Sequence, residues 1–324
     1  MLGMPLNITI LGGNGERQSV GAVARAFRRA GHQVNHVCTL PGFFPAPTSL
    51  GADVDLLFTF KIGEGNIPAG FIKSLPIKHK VFWNFDDPYW ISNTNDPAFA
   101  KEHDVTLTSC LQSVDEYRGK GAPLVYFLPP AMDPEYYHGS RLLDDRHPIS
   151  FICTNLYKKK DFPDNVLDRS WMVKVLYAKF KNAFNLWGYG REIESKAAWR
   201  GRLEWETNLP TVIRTSQINI NNHCIGNQRL YMNERFCQII ATKRAQFVDR
   251  LPGYTEVFGE ESFVYYSSLS ELEDKITYYM DHPRELDRIG NAGFEAMKGW
   301  TYDAFVQEVL NTMEGKYAFP TFFK

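Results

Sequence analysis

A chain of 324 residues is too long for one ordinary core and suits two α/β domains. With 44% apolar and 23% charged residues it has a globular balance, which excludes a disordered tail protein. A formal net charge of −1 supplies no general field for nucleic acid or an anionic membrane, so any polyanion contact must come from a local patch.

Along the first half, apolar runs alternate with helical periodicity. Residues 8–11 (Ile-Thr-Ile-Leu) form a continuous run closed by Gly12-Gly13-Asn14-Gly15, as a buried parallel strand and its loop would. Val20, Val23, Ala24 and Phe27 then recur at helical spacing, and Gly31 supplies the stop. Further strands are predicted over 34–38, 56–60, 81–85, 105–108 and 124–128, the βαβ rhythm of a doubly wound sheet. Prolines and charges from Leu128 to Pro148 read as a domain linker. The second half repeats the rhythm, with strands over 149–153, 183–186, 217–220, 245–248 and 263–265. A helix is predicted to open near Asn227, a capping box at Ser270–Glu273 to open another, and Thr301 to cap the last. The five scattered cysteines lack a C-x-x-C pair and read as reduced thiols of a cytoplasmic protein. No run approaches the roughly 18 consecutive apolar residues that span a bilayer, and the first residues lack the features of a signal peptide.

Several motifs carry chemistry. From Gly13, the third glycine of a G-x-G-x-x-G fingerprint would be Gln18, and Cys38-Thr39-Leu40 stands where a ribose-binding acid is required, so a nicotinamide site is excluded. Gly13 and Asn14 still allow a ligand to approach the backbone at a helix start, with a plain tight turn as the alternative. Asp53-Val54-Asp55 resembles a metal-binding D-x-D, but its strand follows rather than precedes it, and a loop leading into that strand is the better reading. Asp86 and Asp87, in Trp83–Trp90, lie at the carboxyl end of a predicted strand, where open α/β sheets bind ligands; a carboxylate there could orient or deprotonate an acceptor hydroxyl, or cap a helix. Thr154 and Asn155 follow the first strand of the second half and precede the run Lys158–Lys160. Gly188 and Tyr189 leave room for a flat base at another strand end. The helix predicted from Asn227 aligns Tyr231, Glu234, Arg235 and Gln238 on one face, with Arg229 near its open amides and Asn222 and His223 before it.

In this order the residues resemble the CgeB-like group of spore-maturation glycosyltransferase-like proteins. The resemblance rests on Asp86-Asp87-Pro88, Leu128–Glu135, Ile218–Asn221, Asn233-Glu234-Arg235, Asp249–Gly253, Phe258–Glu261, Tyr278–Pro283, Gly290–Gly293 and Thr301-Tyr302. It implies the α/β GT-B architecture: two facing Rossmann-like domains, an acceptor domain over 1–140 and a nucleotide-sugar donor domain over 141–300, with a helix in 301–324 crossing back to the first. Such transferases usually need no catalytic metal ion, because helix amides and basic side chains meet the charge on the departing diphosphate. Members usually read N-x-R-x-F-E-x-x-A-x-G before the next strand; here Gln238 replaces the ribose-binding acid and Lys243 the glycine.

The sequence therefore predicts a metal-independent, cofactor-free glycosyltransferase moving a sugar from a nucleoside-diphosphate sugar to an acceptor hydroxyl or amine. Asp86 or Asp87 would act on the acceptor. Gly13, Asn14, Thr154, Asn155, Gly188, Tyr189, Asn222, Asn227, Arg229, Arg235 and Gln238 would surround the donor. The acceptor is either a surface glycan, protein or small molecule, or a modified base in DNA of the kind phage enzymes glycosylate. The DNA alternative comes from Lys/Arg residues interleaved with Trp171, Tyr177, Trp187 and Trp199. A degenerate fold that binds a nucleotide-sugar or a partner without turnover is the competing class, motivated by Gln238 and Lys243.

Overall fold

The computed structural model describes residues 4–13, 18–38, 50, 53–60, 68, 70–85, 96–137, 147–156, 167–188, 190–203, 208–223 and 227–318. Asn14, Asp86, Asp87, Tyr189 and Lys158–Lys160 lie outside the described residues. The chain forms two compact units: residues 1–131, 230–234 and 299–324 in one, and 132–229 and 235–298 in the other.

The first unit is built on six parallel strands: β1 (Asn7–Gly12), β2 (Gln33–Cys38), β3 (Leu56–Phe60), β4 (His79–Asn84), β5 (Val105–Thr108) and β6 (Leu124–Phe127), in the order β2-β1-β3-β4-β5-β6. β3 is buried at every position, as its unbroken Leu-Leu-Phe-Thr-Phe run requires of a strand covered on both faces. On one face Phe58, Phe60 and Trp83 pack edge to face, with ring centroids 5.3 Å apart for Phe58–Phe60 and for Phe60–Trp83. Leu11, Leu50, Leu57, Ile72 and Leu75 form a second cluster. Asp55 lies just before β3 and accepts from the Asn7 amide at 2.8 Å, so this acid of the D-x-D sequence fixes two strand starts. The last helix, Tyr302–Met313, packs on the helix Ser19–Arg29. Phe305 lies 4.5 Å from the Trp83 ring, Arg29 pairs with Asp303, and Trp300 donates to the Pro130 carbonyl. Thr301 occupies the N-cap position of this helix, but its side chain makes no capping bond.

The second unit repeats the plan with β7 (His147–Ile152), β8 (Phe184–Trp187), β9 (Trp199–Gly201), β10 (Ser216–Asn221), β11 (Ala245–Asp249) and β12 (Val264–Tyr266), in the parallel order β12-β11-β10-β7-β8-β9. The edge strand β9 is not evident in the sequence, where Trp-Arg-Gly sits in a basic stretch. Ile149, Phe151, Ile218, Ile220 and Phe247 form one core face with Leu272, Ile276 and Leu286. Asn185, Ser150, Asn219 and Gln246 stand in register as a buried polar row across four strands.

Two helix starts differ from expectation. The capping box uses Ser268 and Glu271: the Ser268 hydroxyl accepts from the Glu271 amide at 3.1 Å, and the Glu271 carboxylate accepts from Ser267. Ser270 is therefore the second helical residue rather than the cap. The helix expected near Asn227 opens instead at Glu234 and runs to Ala241. Leu230 takes a left-handed backbone (φ 51°), Tyr231 forms an antiparallel bridge with Cys110, and the Met232 amide donates to the Ser109 carbonyl. Strand-like pairing in the first unit thus holds residues that the sequence assigns to the helix.

His103 is fully buried, its Nε2 2.7 Å from the Thr59 hydroxyl and its Nδ1 2.9 Å from the Phe99 carbonyl. Burial pushes this imidazole down to about 3, against the opposing effect of the carbonyl. The unfolded chain binds the proton more readily, so stability is full above the ordinary histidine value of about 6.5 and falls as pH drops toward 3. Urea unfolding across that window should show His103→Gln losing a slope of up to about 1.4 kcal/mol per pH unit.

Candidate functional site

In an open parallel sheet, ligands bind at the carboxyl ends of the strands where strand order reverses. In the second unit that point lies between β7 and β10. It brings together Cys153, Thr154 and Asn155 after β7 with Asn221, Asn222 and His223 at the end of β10.

These residues are cross-tied. Arg169, only 4% exposed, opens the helix Arg169–Phe180 behind the Asp168 cap. Its guanidinium donates to the Asn155 side-chain oxygen at 3.1 Å and to the Asn222 side-chain oxygen at 3.0 Å, and also to the Asn222 backbone carbonyl. Asn222 further hydrogen-bonds the Tyr266 hydroxyl, which donates to the Asn221 carbonyl at 3.3 Å. Arg235 reaches the Asn221 side chain at 3.4 Å. His223 is clasped through its backbone amide and Nδ1 by Asp249, at 3.0 and 2.8 Å, while Tyr254 approaches Nε2 at 3.3 Å. Burial pushes the Cys153 thiol up, and the Arg169 and Arg235 charges oppose that shift, so both cations act on the end of β7.

Of the predicted donor residues, Asn155, Asn222 and Arg235 share this network. Asn222 is buried and its amide is taken up by Arg169 and Tyr266, which makes it a strut of the site. Thr154 is exposed beside Asn155. Gln238 lies one helical turn beyond Arg235; it is 7% exposed, and its side-chain oxygen has no hydrogen-bond partner among the described residues. Asn227 and Arg229 are not at a helix start. Arg229 forms an exposed pair with Glu256 at 2.6 Å, because the helix begins several residues later. Gly188 directly follows β8 with φ +145°, and a Cβ there would collide with the Cys153 carbonyl oxygen. Close approach of two strand ends therefore requires glycine here. Lys243, where the resembled group usually has glycine, also has a left-handed backbone (φ 57°), with its ammonium 4.5 Å from the Phe294 ring. The turn that glycine would favour is thus preserved.

In the first unit, Gly13 directly follows β1, and its carbonyl lies 2.9 Å from His36 Nε2. At the start of the following helix the Ser19 amide and hydroxyl both engage the Glu234 carboxylate, and the same hydroxyl contacts the Tyr302 hydroxyl. The chain's own carboxylate therefore occupies a helix start that the sequence offered to a ligand. At the end of β4, Asn84 donates to Asp96 at 3.1 Å and to the Tyr117 hydroxyl at 2.6 Å. This network fixes the strand end from which the segment bearing Asp86 and Asp87 departs.

Sequence reasoning missed Arg169. Its only signal is a helix-opening arginine after an Asp cap, which ordinarily marks a solvated residue.

Residues 169–311 match the family described as glycosyl transferase-like. The fold is that of the GT-B glycosyltransferases. Among similar solved structures, an α-glucosyltransferase in complex with UDP and a 13-mer DNA containing an A:G mismatch has TM-score 0.65 at 14% identity, covering 96% of this chain and all of that one. Anabaena HepE in complex with UDP and glucose has TM-score 0.64 at 10% identity, with the same coverage. Sucrose-phosphate synthase from Thermosynechococcus elongatus has TM-score 0.64 at 9% identity, covering 96% and 98%. No curated protein matches the sequence. No helix among the described residues is long and apolar enough to cross a membrane.

Gly188→Ala should destabilise the chain by about 3 kcal/mol or more, since it adds both left-handed strain and a clash with the Cys153 carbonyl. A urea melt of the purified variant measures this.

Proposed function

We propose that the chain transfers a glycosyl group from a nucleoside-diphosphate sugar to an acceptor hydroxyl or amine, with the donor nucleotide held at the carboxyl ends of β7 and β10. The observation that carries this reading is Gln238: a buried amide oxygen without a partner costs about 1–3 kcal/mol, and a donor ribose hydroxyl would supply the missing bond. Arg235, one turn earlier, would add positive charge toward the diphosphate. The matched family region contains both residues, and two of the structural relatives are complexes with UDP.

The reaction breaks the bond between the anomeric carbon and the diphosphate oxygen and forms one to the acceptor. Charge developing on the diphosphate would be met by Arg235 and N–H donors around Asn155 without a metal ion. Asp86 or Asp87 would take or orient the acceptor proton.

For the acceptor, a modified base in DNA is favoured by one local feature. Residues 167–203 carry eight Lys or Arg against three acids, and Trp171 is 52% exposed with the Lys174 ammonium 5.1 Å from its ring. A cation beside an exposed ring suits phosphate and base contacts together. Steep loss of duplex binding with rising salt is the expected result; no binding at low salt removes DNA and leaves a glycan, protein or small-molecule acceptor.

The deciding experiment is a thermal-shift series with nucleoside diphosphates and their sugars, followed by an assay for diphosphate release. One of them should raise the melting point; no response from any would overturn the proposal, and tight binding without turnover across acceptors would favour a degenerate binding protein. Gln238→Ala should weaken nucleotide binding about tenfold, whereas Gln238→Glu should retain or strengthen it through a charge-assisted bond. Asp86→Asn or Asp87→Asn, whichever removes the base, should lower turnover by about 10²–10⁴ and leave donor affinity intact.

A further inference from the structure

Arg169 belongs to none of the motifs that carry the functional reading, yet it bonds two residues at the switch point. Its guanidinium takes the side-chain oxygens of Asn155 and Asn222 together. An asparagine side chain has one accepting and one donating end. With the oxygen of Asn155 turned to Arg169, its NH2 group faces away from the guanidinium. The backbone of the same residue is also fixed, since its amide hydrogen-bonds the Cys153 sulfur. Asn155 is half-buried and follows an exposed residue, so it remains accessible at the strand end. Asn222 differs: its NH2 is engaged by Tyr266, and its role ends there.

We propose that Arg169 is a positioning residue that sets the orientation of the Asn155 amide, so that Asn155 presents N–H donors to an oxygen of the donor's diphosphate. This rests on the donor reading given above and specifies which part of the donor the β7 loop recognises: the anionic diphosphate rather than the nucleoside. A lysine could not replace Arg169, because a single ammonium cannot bond Asn155, the Asn222 side chain and the Asn222 carbonyl with the planar fork that joins them here.

The decisive pair of variants is Asn155→Ala and Asn155→Asp in the full chain, titrated with UDP and with uridine, and with the other nucleoside diphosphates and their nucleosides if UDP is not the ligand. Loss of the N–H donors in Asn155→Ala should weaken UDP binding about tenfold. Asn155→Asp should weaken it about a hundredfold or more, since a carboxylate would face the diphosphate. That same carboxylate would pair with Arg169, so Asn155→Asp should melt no lower than the parent. Uridine should bind both variants as it binds the parent. Arg169→Lys should reproduce the UDP-selective loss; if it does not fold, the Asn155 pair still decides. Equal weakening of UDP and uridine, or an Asn155→Asp variant that binds UDP like the parent, would overturn the assignment. A parent chain that binds no nucleoside diphosphate at all would instead refute the donor reading on which it stands.

Discussion

Three consecutive residues at the end of β10 are each held by a different element. Arg235 and Tyr266 hold Asn221, Arg169 holds Asn222, and Asp249 holds His223. A strand end carries unpaired backbone groups, and here side chains from the helix after β7 and from strands β11 and β12 satisfy them, while Arg235 from the helix after β10 holds the Asn221 side chain. The result is a preorganised rim, which matters because a site misplaced by an ångström loses much of its advantage in orientation. Two guanidiniums act close to one another at this rim. Their partners include three asparagine side-chain oxygens, so the site is ordered by neutral acceptors as well as by charge.

The two sheets share a plan and treat their helix starts differently. In the first unit, the helix after β1 receives Glu234, whose carboxylate satisfies Ser19 from within the chain. In the second, Arg169 holds Asn155 after β7 through its side-chain oxygen. The departures at Gln238 and Lys243 have different weight. Lys243 keeps the left-handed turn and packs over Phe294, so its geometry shows no decay. Gln238 offers a neutral acceptor where the CgeB-like group, which the sequence resembles, usually has an acid.

The alternation of elements could be seen in the residue order because buried parallel strands are largely apolar runs, as in 56–60. The short edge strand Trp199–Gly201 could not, since three residues with an arginine at the centre have no apolar period. The false helix start at Asn227 had a polar opening of the right composition, but non-local pairing with Cys110 and Ser109 overrides it, and no local pattern reports that. Asn155 and Arg235 could be chosen from chemistry and strand position. Arg169 could not, because its role depends on two partners 14 and 53 positions away. The need for glycine at 188 has a local cause that the residue order does not report, the Cys153 carbonyl beside it.

The first unit is assembled from three separate stretches of polypeptide. Phe305 from the last stretch covers Trp83 and Phe58, and Tyr302 meets Ser19 beside the inserted Glu234. A chain without residues 299–324 would therefore lack the aromatic cover of this sheet, Phe305 over Trp83 and Phe58. The amino-terminal unit thus cannot be completed until the residues that follow the other unit are present, so the order of its parts in the chain is not the order of its packing.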